Sequence, residues 1–242
     1  MTNLKRQQAH VWTLPVSQTD DAMIERLRPV LSKPENARSE RITDPRNHRE
    51  YLAAHILTRR MLAHFSTVEA ADWHFVTGPH GRPEPAPDVE ANGLRFNLSH
   101  ASGMVACAVS KDDAIGVDVE WMARSNDFKA IAERKFAATE RACLSDAPAQ
   151  QQQKVFFSFW TLKESYIKAI GKGLLEPLDG FSFDLEAPAI SFLNGQDNPD
   201  CWGFELFQPS PDHLAALCLA RPSGASARIT HRHLGWEDLL TT

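Results

Sequence analysis

Ile115-Gly116-Val117-Asp118-Val119-Glu120 alternates apolar and acidic residues over its last four positions, which is the pattern of a β-strand with two unlike faces. Successive side chains on a strand point to opposite sides. Asp118 and Glu120 therefore share one face, and Val117 and Val119 share the other. Two carboxylates held side by side repel each other unless a cation or an arginine neutralises them. A few oxygen ligands, with room left for water and phosphate oxygens, suit magnesium better than zinc, with manganese as the alternative. A solvated strand face is the other reading of the same alternation.

Upstream, Leu94 to Leu98 and Met104 to Val109 are two more apolar runs, joined through Ser99-His100-Ala101-Ser102-Gly103. With the strand that starts at Ala114, after the Lys111-Asp112-Asp113 turn, they predict a three-stranded sheet. Downstream, Asn126 to Leu144 reads as mostly helical and Ser145 to Gln153 as a solvated connection. A helix is expected from Lys154 to Gly171, with Gly173 and Pro177 as further stop signals. At ~100° per residue, Val155, Phe159, Leu162, Tyr166 and Ile170 form its buried stripe. Trp160, Glu164 and Lys168 fall in a second row that would border a cleft. Lys163 projects near the apolar side, where a buried ammonium needs an anionic partner.

Further out, Val11 to Val16 reads as a strand and Asp20 to Leu31 as a helix. The stretch from Arg38 to Arg60 is strongly basic, and a helix from about Asn47 to Phe65 should carry one core face and one cationic face. Gly78 to Pro87 is expected to be loop. The tail alternates short strands, Gly180–Leu185, Trp202–Phe207, Leu214–Ala220 and Ala227–His233, with turns. Each half thus supplies helices and then strands, which indicates an α+β fold, although no repeat is visible residue by residue.

The chain has 242 residues, 43% apolar and 24% charged, enough to bury a real core. A formal net charge of -5 excludes a wholly basic nucleic-acid binder, so any polyanion must be met by a local cluster of cations. Cys107, Cys143, Cys201 and Cys218 show no zinc or redox spacing and are expected to be reduced, mostly buried thiols. No signal-peptide-like stretch and no run approaching about 18 apolar residues occurs, so a cytoplasmic protein with no membrane segment is expected.

Gly116-Val117-Asp118-Val119-Glu120, followed by Phe159-Trp160-Thr161-Leu162-Lys163-Glu164-Ser165-Tyr166-Ile167-Lys168-Ala169-Ile170-Gly171-Lys172-Gly173, resembles the paired signature of the phosphopantetheinyl transferase superfamily. The Trp-x-x-Lys-Glu-Ser form and the length resemble its Sfp-type branch, as do Phe96-Asn97-Leu98-Ser99-His100 and Gly81-Arg82-Pro83. The resemblance runs from about Arg38 to Phe183. It implies transfer of the 4'-phosphopantetheine moiety of coenzyme A to a serine of an apo acyl or peptidyl carrier protein. It also implies two similar α+β halves, residues 1–112 and 113–242, related by a pseudo-twofold with the active site at their interface, within an expected monomer.

Position by position, the resemblance implies that Asp118, Glu120 and Glu164 hold magnesium and that Arg82, Ser99, His100 and Lys168 contact the phosphates of coenzyme A. Lys163 is expected to support the cofactor site, Arg38 and Arg41 to reach the ribose phosphate, and Glu35 stands where a cation was expected. Glu164 is the expected general base and Lys168 the expected stabiliser of the leaving group. Lys129, Arg134 and Lys135 are candidates for a basic rim that meets the carrier. A metal-dependent phosphodiesterase or nuclease, and a non-catalytic coenzyme A-binding module, remain the alternatives.

Overall fold

Two β-sheets packed face to face, each with one long helix on its outer side, organise the chain. A computed structural model describes residues 4–78, 81–124, 127–173, 176–193, 195, 197–223 and 225–241. The first part of the chain forms β1 (Gln8–Pro15), α1 (Asp21–Leu27), α2 (Lys33–Ser39), α3 (Pro45–His64), β2 (Phe75–Thr77), β3 (Pro83–Pro85), β4 (Leu94–Ala101) and β5 (Met104–Lys111). It continues with β6 (Ile115–Trp121), α4 (Phe128–Lys135), α5 (Ala138–Asp146) and α6 (Ala149–Ile170). The remainder is β7 (Phe181–Asp184), β8 (Ala189–Phe192), β9 (Trp202–Ser210), β10 (His213–Ala220) and β11 (Arg228–His233). The fold is α+β.

One sheet runs β11-β1-β5-β4 and the other β6-β10-β9, with small ribbons β2-β3 and β7-β8 beside them. Strand alternation divides the interior into three cores. Trp12, Leu14, Val105 and Cys107 face α3, where they meet Leu52, Ile56 and Met61. Ala216 and Cys218 of β10 face α6, where they meet Phe159, Leu162 and Tyr166. Between the sheets, Ala9, Val11, Ala106 and Ala108 pack on Val117, Val119, Ala215 and Leu217. Small residues dominate that middle layer, which lets the sheets approach closely.

Both long helices have clear local causes. Asp44 caps α3 by accepting from Asn47 N at 2.8 Å, and Pro45 opens its first turn. Gly171 ends α6 in the left-handed conformation, with φ 69°. The glutamine run expected to be a solvated connection is instead the first turn of α6, because Pro148 at the N-cap starts the helix five residues early.

Three further expectations are corrected. The three-stranded sheet does not form: β4 and β5 pair as a hairpin, whereas β6 pairs with β10 in the other sheet. Within the segment expected to be loop, Pro83–Pro85 pairs with Phe75–Thr77, while Pro79 and His80 lie outside the described residues. The segment read as one helix from Asn126 is two helices, with Asn126 itself outside the described residues. The tail strand β11 pairs parallel to β1, and Leu234, Trp236 and Leu239 enter the core under α3. All four cysteines are free thiols, with Cys107 and Cys218 buried and Cys143 exposed. No described helix is long and apolar enough to cross a membrane.

Candidate functional site

The sheets meet along a seam between β4 and β6. The amide hydrogens of Val117 and Val119 point away from β10, and side chains of β4 receive them. Val117 N donates to Asn97 Oδ1 at 2.9 Å and Val119 N to Ser99 Oγ at 3.3 Å. Arg82 extends the seam: Nη2 donates to Phe96 O and Ile115 O at 3.0 Å each, and Nη1 to Lys168 O at 2.6 Å and Ala169 O at 3.1 Å. At the far end His213 Nε2 lies 3.0 Å from Ala101 O. These groups turn an open strand edge into a fixed junction.

Gly116 sets how closely α6 lies on β6. A Cβ there would collide with Ser165 O and lie 2.5 Å from Ala169 N. The missing side chain lets the helix backbone rest on the strand at Ser165 and Ala169, one residue after Glu164 and Lys168 respectively. Lys168 Nζ then reaches Asp118 Oδ1 at 2.7 Å and Ser99 Oγ at 2.8 Å, while Ser99 Oγ donates to Asp118 Oδ1 at 3.0 Å. Trp160 Nε1 donates to Glu120 Oε1 at 3.0 Å, and Arg124 Nη1 stands 3.5 Å from Glu120 Oε2.

Asp118 Oδ2 is buried with no hydrogen-bond partner among the described residues. Burial, and then the Asp118 charge, push the Glu120 carboxyl up to about 7 and do the same to Glu164. Among the described residues no three His, Cys, Asp or Glu side chains gather tightly enough to clasp a metal as they stand. The positive charge amid the carboxylates comes from Lys168, against Asp118, and from Arg124, against Glu120. The chemistry of the donors still fits a hard divalent cation: an orphaned buried carboxylate oxygen and two carboxyls in its field, with oxygen as the donor throughout.

A hollow of about 1140 Å³ opens beside this group, bounded by α2, α3, the β2–β3 ribbon, β4 and the end of α6. Arg38, Arg82, His100 and Lys168 line it, together with His55, His74, Phe75 and Tyr51. The Arg38 guanidinium lies 5.7 Å from the centre of the Tyr51 ring. Asp118, Glu120 and Glu164 are not on its wall, which Lys168 joins to the acidic group. His100 holds Glu50 Oε2 at 3.2 Å through Nδ1 and keeps a 43% exposed side chain.

Several residues expected at the site lie elsewhere or do other work. Ser99 is buried and saturated by Asp118, Lys168 and Val119, so it faces the acidic group rather than the hollow. Arg41 is exposed and does not line the hollow. The Arg82 terminal nitrogens are spent on four backbone carbonyls, so it builds the wall. Lys163, expected at the cofactor, is fully buried, with Nζ 2.7 Å from Leu178 O, 2.7 Å from Phe181 O and 2.8 Å from Glu140 Oε2. All three of its N–H donors are engaged, and the buried stem that favours the apolar side of α6 carries the ammonium away from the hollow.

Glu35, where a cation was expected, is a keystone of the hollow. It caps α2 with Ser32, lies 2.9 Å from His55 Nδ1 and 2.8 Å from Arg59 Nη2. Burial raises its pKa, but hydrogen bonds from His55, Arg59 and Ser32 outweigh that and pull it down to about 2. The sequence carried a signal for this wall: Tyr51, His55 and Arg59 recur every four residues and so share one face of α3. Glu50 had no comparable signal.

The model of the 4'-phosphopantetheinyl transferase superfamily matches residues 114–218, the segment that carries β6, α6 and β10. HetI, a 4'-phosphopantetheinyl transferase of a Nostoc species, is 34% identical over 69% of this chain and 70% of its own. The 4'-phosphopantetheinyl transferase psf-1 of Bacillus pumilus is 31% identical over 84% of each chain. The 4'-phosphopantetheinyl transferase ffp of Bacillus subtilis is 31% identical over 86% of this chain and 89% of its own.

Proposed function

The chain belongs to the 4'-phosphopantetheinyl transferase superfamily, and on that premise we propose that it moves the 4'-phosphopantetheine moiety of coenzyme A onto a serine hydroxyl of an apo acyl or peptidyl carrier protein, releasing 3',5'-ADP. The observation that carries this reading is one juxtaposition. Asp118, Glu120, Glu164 and Lys168 form a charged group at the end of a hollow lined by Arg38, His55 and His100. Coenzyme A carries a diphosphate and a ribose phosphate, so it needs several cations along one cleft.

Asp118, Glu120 and Glu164 would hold the magnesium ion, or manganese in its place. Such an ion, when bound, offsets the charge on the diphosphate and on the departing 3',5'-ADP. Arg38 and His100 bind phosphate groups along the hollow, with Arg82 keeping β4, β6 and α6 in register behind them. Lys168 exchanges part of its contact with Asp118 for the diphosphate oxygens and balances the negative charge that grows as the P–O bond breaks. The carrier serine Oγ attacks the phosphorus next to pantetheine, and its proton passes to a Glu164 carboxylate oxygen. Lys163 acts behind this group by holding the segment that follows α6.

The two halves are read as a duplicated α+β unit with the active site between them. The support is that each sheet carries one long helix, α3 or α6, on its outer face. A cleft built within one chain requires no second copy, so the working form is a monomer in the cytoplasm, with no part for nucleic acid. Lys129, Arg134 and Lys135, all on α4 and all exposed, supply a basic rim for an acidic carrier.

The test is to incubate the protein with coenzyme A, magnesium and an apo carrier protein and to weigh the carrier by mass spectrometry. A phosphopantetheine adduct on the carrier serine is expected. Cleavage of coenzyme A without an adduct would instead identify a phosphodiesterase, and binding with neither product a sequestering module.

A further inference from the structure

Glu50 is a buried acid that the transfer chemistry leaves without a role. It sits on α3, is 3% exposed, and its two carboxylate oxygens have different tasks. Oε1 accepts from Gly103 N at 2.7 Å, and Oε2 lies 3.2 Å from His100 Nδ1. Gly103 belongs to the tight β4–β5 turn, with φ 94°, and its carbonyl oxygen accepts from Val16 N at 2.8 Å. Glu50 therefore ties the turn down and grips the imidazole from one anchored position.

An ionised carboxylate only accepts hydrogen bonds, so Nδ1 of His100 carries a hydrogen. The edge left over is Nε2, on a ring that lines the hollow. A bare carboxylate at a phosphate site would repel the ligand, but Glu50 is covered and His100 is interposed. When a phosphate lies on the Nε2 edge, both ring nitrogens face acceptors.

We propose that Glu50 is the positioning residue for His100, fixing its ring orientation and N–H pattern so that it gives an anionic group of coenzyme A a charge-assisted hydrogen bond. The proposal rests on reading the hollow as the coenzyme A site. Nothing in the local sequence marks Glu50, because the contact joins a helix to a turn 53 residues away.

The test is a double-mutant cycle in the carrier-loading assay. Glu50→Gln preserves shape and the bond from Gly103, but its amide group turns a donor toward Nδ1 and leaves the ring an ordinary neutral donor to the phosphate. The KM for coenzyme A should rise about five- to tenfold with kcat changed less than about twofold, in line with the loss of charge assistance. His100→Ala should raise KM at least as far, and Glu50→Gln should add nothing in the His100→Ala background. A Glu50→Gln penalty that persists without His100 overturns the proposal. An unchanged KM in His100→Ala overturns it too by removing His100 from the site, whereas loss of loading in Lys168→Ala would still support the wider reading. Should Glu50→Gln fail to fold, nitrogen NMR of the wild-type ring decides. Hydrogen on both nitrogens in the coenzyme A complex is expected, and a bare Nε2 there overturns the proposal.

Discussion

Lys163 and Lys168 stand five residues apart on α6 and have opposite environments. Lys168 is part-exposed at the edge of the hollow, whereas Lys163 is wholly enclosed beside Glu140, with its ammonium 4.5 Å from the centre of the Phe181 ring. Burial works against both charges of the inner pair, pushing Glu140 up and Lys163 down, and their 2.8 Å contact opposes it. Removing one partner leaves a bare charge inside, so Lys163→Met should destabilise the protein by about 3–5 kcal/mol, read from its urea midpoint. Replacing Glu140 by Gln as well should recover part of that loss, since the uncompensated charge is then gone. Lys168→Ala leaves the buried Asp118 carboxylate with Ser99 as its remaining side-chain donor among the described residues, and it should lower the loading rate about 10²- to 10³-fold, the usual cost of losing one transition-state donor. Wild-type loading by that variant would reassign Lys168 as structural. Sequence pattern separated the two only in part: it put Lys163 near the apolar stripe, yet its partner Glu140 lies on another helix, beyond the reach of any local spacing.

Two contacts between elements set the geometry of the site. The first is the approach of α6 to β6 over Gly116, where any side chain must push strand and helix apart. Gly116→Ala should cost about 1–3 kcal/mol through overpacking, and it should reduce loading more than Asn97→Ala, which loosens only the β4 side of the seam. The opposite order of activities would move the critical contact from the helix to the seam. The second is the clamp of α2 on α3 through Glu35. Its pKa is about 2 in the folded protein against an ordinary 4.5, so its stabilising contribution is complete above the ordinary value and is lost as pH falls from about 4.5 through about 2. The wild-type advantage over Glu35→Gln in urea unfolding should be full at about pH 6 and shrink below about pH 4. A constant difference across that range would mean that the carboxylate does not hold His55 and Arg59 in the native state. Local pattern foretold α3 and the buried stripe of α6, because their periodicities are strong. It missed the capping box of α2, Ser32 with Glu35, because a cation had been expected where Glu35 stands.

At the scale of the molecule, the alternation at Val117 to Glu120 was enough to indicate an acidic face and a core face, and both exist. What the alternation could not reveal was the partner strand. Pairing of β6 with β10 spans about a hundred residues of chain, and the likeliest neighbour by proximity, β5, is instead packed across the middle layer. The tail posed the same difficulty: β11 reads as one more strand of the C-terminal half, yet its register is with β1. Deleting residues 227–242 should therefore strip the edge of the first sheet and open the core under α3, giving an aggregating or unfolded product rather than a shortened enzyme, as judged by size-exclusion chromatography and circular dichroism. During synthesis the same arrangement has a temporal meaning. The outer edge of β1 stays unpaired until the chain has been made as far as His233, so that edge closes after every other strand of the first sheet exists, and a chain cut short before Arg228 never completes it.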